Sequence, residues 1–140
     1  MARHIEDVHQ EALITWSKVM KVTLPNGEVV PLKNVLYAIP NGGKRNAKEA
    51  ARFKRQGVTA GVSDLHLIRP ANGYHGLWIE MKKPKAKGQP TPTTQPSQLE
   101  WLDTAAKCDH LGVVAFGIDE AKTAIREYLG SLLVDPRNAI

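Results

Sequence analysis

Residues 76–82 read Gly76-Leu77-Trp78-Ile79-Glu80-Met81-Lys82, and their alternation decides the fold. In a strand, successive side chains point to opposite faces. Leu77, Ile79 and Met81 then share one face, and Trp78, Glu80 and Lys82 share the other. Large apolar side chains on both faces predict a strand covered on both sides, with Glu80 beside Trp78 in a partly buried cleft. Just upstream, Gly57-Val58-Thr59-Ala60-Gly61-Val62-Ser63-Asp64-Leu65-His66-Leu67-Ile68 reads as a glycine-bounded loop entering a second strand, and Pro70-Ala71-Asn72-Gly73-Tyr74 as the connecting turn. If these two strands pair antiparallel, Asp64 comes level with Glu80 to Lys82.

Outward from this hairpin, the apolar spacing predicts helix and strand in alternation. Ile5, Val8, Ala12, Trp16, Val19 and Met20 recur at helical intervals and predict an amphipathic helix over 5–20 with that stripe inward. Asn26-Gly27 between Val22-Thr23-Leu24 and Val29-Val30 is a hairpin signal. Val35 to Ile39 reads as a short strand stopped by Pro40 and Asn41-Gly42-Gly43. A basic helix follows over 46–56, with Asn46 as its cap and Gly57 just beyond its end. The segment 83–96 holds four prolines, three threonines and three lysines, a composition that predicts an exposed, mobile loop. Ser97 to Lys107 reads as a helix with Leu99, Leu102 and Ala106 inward, Val113 to Phe116 as a strand, and Asp119 to Leu129 as a helix capped by Asp119. The order α, β, α, β, β, α, β, α, without an internal repeat or linker, gives the fold class: one α/β domain over residues 1–140, with a mixed central sheet flanked by helices.

Composition bounds the function. A chain of 140 residues, 42% hydrophobic and 24% charged, suffices for one core. Its one cysteine, Cys108, excludes an internal disulfide and a four-cysteine zinc site, and fits a reducing compartment. No apolar run approaches the roughly 20 residues of a spanning helix, and residues 1–7 lack a signal-peptide core, so a cytoplasmic protein away from membranes is expected. The net charge of +5 is segregated. Residues 41–56 carry +5 through Lys44, Arg45, Lys48, Arg52, Lys54 and Arg55 against Glu49, and residues 82–88 add +4 through Lys82, Lys83, Lys85 and Lys87. A solvated face is the ordinary reading of a single basic run. Two runs flanking acidic residues suit a phosphate backbone, whose counterions each Lys or Arg displaces.

The constellation that carries chemistry is Asp64, a gap of fifteen residues, then Glu80-Met81-Lys82. Positions 80 and 82 project from one strand face about 7 Å apart. Two acids and a lysine that converge there form a hard-oxygen site for Mg²⁺ or Mn²⁺, with an ammonium able to orient water or stabilise charge at phosphorus. Taken bare, Glu-x-Lys on a strand is more often a cross-strand ion pair.

Three ordered segments narrow the choice. Ala38-Ile39-Pro40-Asn41-Gly42-Gly43-Lys44-Arg45, then Gly57 to Leu65, then Gly73-Tyr74-His75-Gly76-Leu77-Trp78-Ile79-Glu80-Met81-Lys82, resemble the virus-type replication-repair (VRR-NUC) nucleases of the PD-(D/E)xK superfamily. The likeness runs from Glu6 to Leu129. It implies a restriction-endonuclease-like fold and Mg²⁺- or Mn²⁺-dependent cleavage of DNA. Members of this size resemble stand-alone phage enzymes that act as homodimers on branched DNA, including four-way (Holliday) junctions, which would place the protein in a host cytoplasm. Carried over by position, Asp64 and Glu80 resemble the metal-binding acids, Lys82 the catalytic lysine, and the Met81 carbonyl a further ligand. Glu6 falls on the first-helix glutamate, with Glu11 as its competitor, and Gln98 on a glutamine near the acids. Ser63 replaces the usual proline, the loop from Pro84 to Pro96 is longer than usual, and Gln95 replaces a Ser/Thr cap. Asn41, Lys44, Arg45, Lys48, Arg52, Arg55, Lys83, Lys85 and Lys87 are the expected DNA contacts. The alternatives are a non-catalytic nucleic-acid-binding module, or a nuclease acting on flaps or linear ends.

Other residues have plainer readings. His66 shares the strand face of Asp64 and reads as a pocket histidine, while His4, His9, His75 and His110 lack metal-ligand spacing. Cys108 reads as a small buried residue, and Trp16, Trp101 and Tyr128 as core. Asn41-Gly42-Gly43 is not a nucleotide phosphate loop, because Lys-Ser/Thr does not follow it.

Overall fold

The computed structural model of the chain describes residues 4–40 and 46–138. Helix α1 (Ile5–Val19) leads into a hairpin of β1 (Lys21–Thr23) and β2 (Val29–Pro31). A 3₁₀ turn over Leu32–Val35 feeds β3 (Leu36–Ala38), and α2 (Ala47–Arg55) follows. Then come β4 (Leu65–Leu67), β5 (Leu77–Lys82), α3 (Pro96–Lys107), β6 (Leu111–Phe116) and α4 (Ile118–Leu129). The predicted mixed α/β sheet is present: β3-β4-β5-β6, with β3·β4 and β4·β5 antiparallel and β5·β6 parallel. A second small sheet, β2-β1-β7, is closed by β7 (Leu133–Val134), which the sequence reading left unassigned.

The apolar face of β5 makes the core. Leu77, Ile79 and Met81 are buried together with Leu65, Leu67, Leu13, Trp16, Ile125 and Tyr128 in one cluster. Burying a side chain of this size stabilises by roughly 1.5–3 kcal/mol. Helices α1 and α4 pack together and both reach β5. Helix α3 covers the other face, where Gly112 of β6 is needed: a Cβ there would lie 2.6 Å from Leu102 Cδ2.

Several expectations need correction. In α1 the inward residues are Leu13, Trp16, Ser17 and Met20, while Ile5, Val8 and Val19 are exposed. The core spans only the helix's second half, so an apolar stripe counted from Ile5 runs out onto the surface. In α3, Leu99 is exposed and Ala105 is the buried residue. Gln98 reaches inward to the buried Glu80, and that polar inward position shifts the phase of a purely apolar count. Asp119 does not cap α4. Gly117, at φ +92°, is the N-cap, and the Ile118 amide donates to His9 Nδ1 at 2.9 Å, a partner far upstream in the chain. Cys108 is exposed at the end of α3 rather than buried. Trp16 and Tyr128 are core, but Trp101 is only half-buried.

Helix α2 buries none of its residues, so local interactions must hold it. Asn46 Oδ1 accepts from the Glu49 amide at 2.8 Å, as the sequence predicts for its cap. Asn46→Ala is expected to cost about 1 kcal/mol locally. Hydrogen exchange should show faster opening of the α2 amides with little change in the sheet.

Candidate active site

Register brings the acids together. Leu65 pairs with Ile79, so Asp64, one residue before β4 begins, lies level with Glu80 on the adjoining strand. Asp64 Oδ2 accepts a hydrogen bond from the Met81 amide at 2.7 Å, which ties the loop end to β5. A strand residue's N–H and C=O point to the same sheet edge, and Lys82 O and Gly76 O bond towards β6. The Met81 carbonyl therefore faces the Asp64 edge.

Glu80 is 3% exposed and Lys82 8%, both on the face opposite the main core. Gln98, in the first turn of α3, bridges them. Its Nε2 donates to Glu80 Oε1 at 2.5 Å, and its Oε1 accepts from Lys82 Nζ at 2.9 Å and from the Gln95 amide at 2.9 Å. Lys82 Nζ also lies 3.8 Å from Glu80 Oε1. Glu80 Oε2 is fully buried without an amide or ammonium donor among the described residues, and the Glu80 carboxyl, when protonated, shares a hydrogen bond with the Asp64 carboxylate. Burial first, then the Asp64 charge, pushes the Glu80 carboxyl up to about 8, and the Lys82 ammonium opposes them. Burial likewise raises Asp64, against the Met81 amide. Glu6, exposed on α1, adds its negative charge to both carboxyls.

These carboxyls line a cleft of about 710 Å³ together with Lys54 of α2, the 57–62 loop and the start of α3. Gly61, at φ +89°, keeps that loop tight against α3, since a Cβ there would sit 2.3 Å from Ser97 O. Ser63, where the family pattern has proline, is fully buried and its Oγ has no hydrogen-bond partner among the described residues. None of the six predicted cations among the described residues lines the cleft: Lys48, Arg52 and Arg55 are exposed on α2, and Lys83, Lys85 and Lys87 are exposed on the 83–95 loop. Lys85 Nζ rests 4.4 Å from the centre of the Phe116 ring. Asn41, Lys44 and Arg45 lie outside the described residues. Lys54 and Phe53 line the cleft although neither was singled out as a contact; their place on the inner side of α2, one turn after Asn46-Ala47-Lys48-Glu49-Ala50, was the available signal. His66 is half-buried, its Nδ1 is 2.8 Å from Tyr37 Oη, and its ring stacks on Trp78 at 3.9 Å. Burial and then His110 lower it to about 4, which keeps it a neutral packing group at pH 7.

The site thus joins a half-buried and a buried carboxyl to a lysine held by an amide. Among solved structures, the chain is similar to a VRR_NUC domain protein, with 34% sequence identity, a TM-score of 0.72, and coverage of 94% of this chain and 93% of that one. No family model matches the sequence, and no curated protein matches it. The chain belongs to the VRR-NUC domain family, and that membership points to a nuclease domain.

Proposed function

We propose that this protein is a metal-dependent DNA endonuclease of the PD-(D/E)xK type, selective for branched DNA such as four-way junctions. The observation that carries the reading is the meeting of Asp64 and Glu80, which line a cleft beside a basic helix, with Lys82 held next to Glu80.

The donor chemistry fits Mg²⁺ or Mn²⁺. Asp64 and Glu80 lie close enough to share a proton, and both carboxyls favour a proton or a cation over bare charge. Among the described residues no three His, Cys, Asp or Glu side chains converge to hold a metal. Two carboxylates, the Met81 carbonyl and retained waters therefore make the donor set, which suits ions that dehydrate reluctantly. Such an ion supplies Lewis acidity and a more acidic water.

The chain's own residues do the rest. Gln98 fixes the Lys82 ammonium by accepting from Nζ, so this cation is held beside Glu80 with little freedom to lose. There it orients the attacking water and stabilises the charge that grows on the phosphoryl oxygens. Water oxygen bonds to phosphorus, the bond from phosphorus to the 3′ oxygen breaks, and that oxygen takes a proton, leaving 5′-phosphate and 3′-hydroxyl ends. Lys48, Arg52, Arg55, Lys83, Lys85 and Lys87, with Asn41, Lys44 and Arg45, hold the DNA backbone. Glu6 adds negative charge near the cation site. Ile5, Val8 and Val19, exposed in a row on α1, suit contact with a second copy, and a homodimer would give a four-way junction its paired incisions.

Digestion of single-stranded, duplex, flap and four-way-junction DNA with Mg²⁺, Mn²⁺ or chelator tests this. Cleavage that needs the ion and is fastest on the junction is expected. Binding governed by salt alone, without cleavage under any condition, would overturn it. Removing one α2 cation, as in Arg52→Ala, is expected to reduce the log-affinity against log-salt slope by about 1, uniformly across DNA sequences.

A further inference from the structure

Beside the carboxylate cleft lies a second cavity of about 470 Å³, walled by Ile39, Pro40, Phe53, Val58, Val62 and Trp101. Phe53, Val58 and Val62 line both cavities, so the two are contiguous. Their chemistry differs sharply. The first contains Asp64, Glu80 and Lys54, whereas among the described residues no charged one lines the second. Its aromatic walls are supported: Trp78 meets the Trp101 ring edge-on at 5.2 Å, and the Arg52 guanidinium lies 5.0 Å from the Phe53 ring centre. The Trp101 indole N–H is buried without a partner among the described residues.

We propose that this second cavity receives an unstacked nucleobase of the DNA strand whose phosphate lies in the carboxylate cleft, an inference that rests on the nuclease reading above. A base is flat, with π-faces that stack on aromatic rings whatever its identity, while its sugar-phosphate stays in the neighbouring, charged compartment. Apolar walls next to a cation-rimmed acidic floor reproduce that division over the span of one nucleotide. Turning a base out of a duplex costs a few kcal/mol, and least where pairing is already broken. A pocket that must be filled by such a base favours branch points and single strands over intact duplex.

The test uses the full chain carrying Glu80→Gln, so that binding is read without cleavage. Fluorescence anisotropy follows two probes, a synthetic four-way junction and a 16-nucleotide single strand, each with an abasic residue walked through successive positions. Phe53→Ala is added to the same chain; α2 buries none of its residues, and an unchanged melting temperature checks that the fold persists. Loss of the ring is expected to weaken binding about tenfold. At one position, loss of the base should weaken binding similarly in the Phe53 protein and cost nothing further in Phe53→Ala. Losses that add at every position, or Phe53→Ala binding as tightly as its parent, would overturn the pocket. Cleavage by the unmodified chain in Mg²⁺ is scored separately. Cleavage without coupling sinks the pocket alone, and coupling without cleavage sinks the nuclease reading alone.

Discussion

Glu80→Gln is expected to slow DNA cleavage by about a thousandfold, equivalent to about 4 kcal/mol of lost transition-state stabilisation. The substitution keeps the side chain's length and shape, and an oxygen remains to accept from Gln98 Nε2. What it removes is the carboxyl's capacity to ionise and so to lend a negative charge to a bound cation. Without a divalent ion the same change is expected to raise the melting temperature near pH 7, because the folded chain no longer has to hold a proton on a carboxyl that the unfolded chain has already released. Single-turnover cleavage and calorimetry together read both effects. A variant that is slow but also less stable would indicate a damaged fold. A variant that cuts at the parental rate would remove Glu80 from the chemistry.

Cation affinity is expected to rise about a hundredfold between pH 6 and pH 8. Burial holds the Glu80 carboxyl at about 8 against an ordinary 4.5, so the folded chain keeps a proton that the unfolded chain has already released. The sign follows: as pH rises from about 4.5 through about 8, the metal-free protein loses stability. An incoming Mg²⁺ must displace that proton, which weakens binding about tenfold for each pH unit below the carboxyl's own midpoint. Titration calorimetry in buffers of different ionisation enthalpy should detect the released proton. Affinity independent of pH across this range would show that no proton is displaced.

Period-two alternation is short-range, which is why the strand at 77–82 and the level of Asp64 beside Glu80 were legible in the chain itself. The Asn46 cap was legible for the same reason, since donor and acceptor are three residues apart. Helix rotation was not. Apolar counting places Leu99 inward, yet Gln98 turns in because buried Glu80 and Lys82 need its amide, and those partners lie in another element. His9 as the acceptor for the first α4 amide, and β7 closing onto β1, depend equally on neighbours remote in sequence. The second cavity escaped notice because Ile39, Phe53, Val58 and Trp101 belong to four separate segments. No local pattern relates them.

The orientation of the Gln98 amide has a mechanical consequence. One oxygen answers both the Lys82 ammonium and the backbone at Gln95, while the nitrogen answers Glu80, so the carboxamide is keyed in one direction only. The stretch that bears Lys83, Lys85 and Lys87 runs directly into that backbone. A displacement of the backbone at Gln95 must either snap a linkage of the amide or drag the ammonium and the acid with it, so the last residue of that stretch and the two charged groups move as one body.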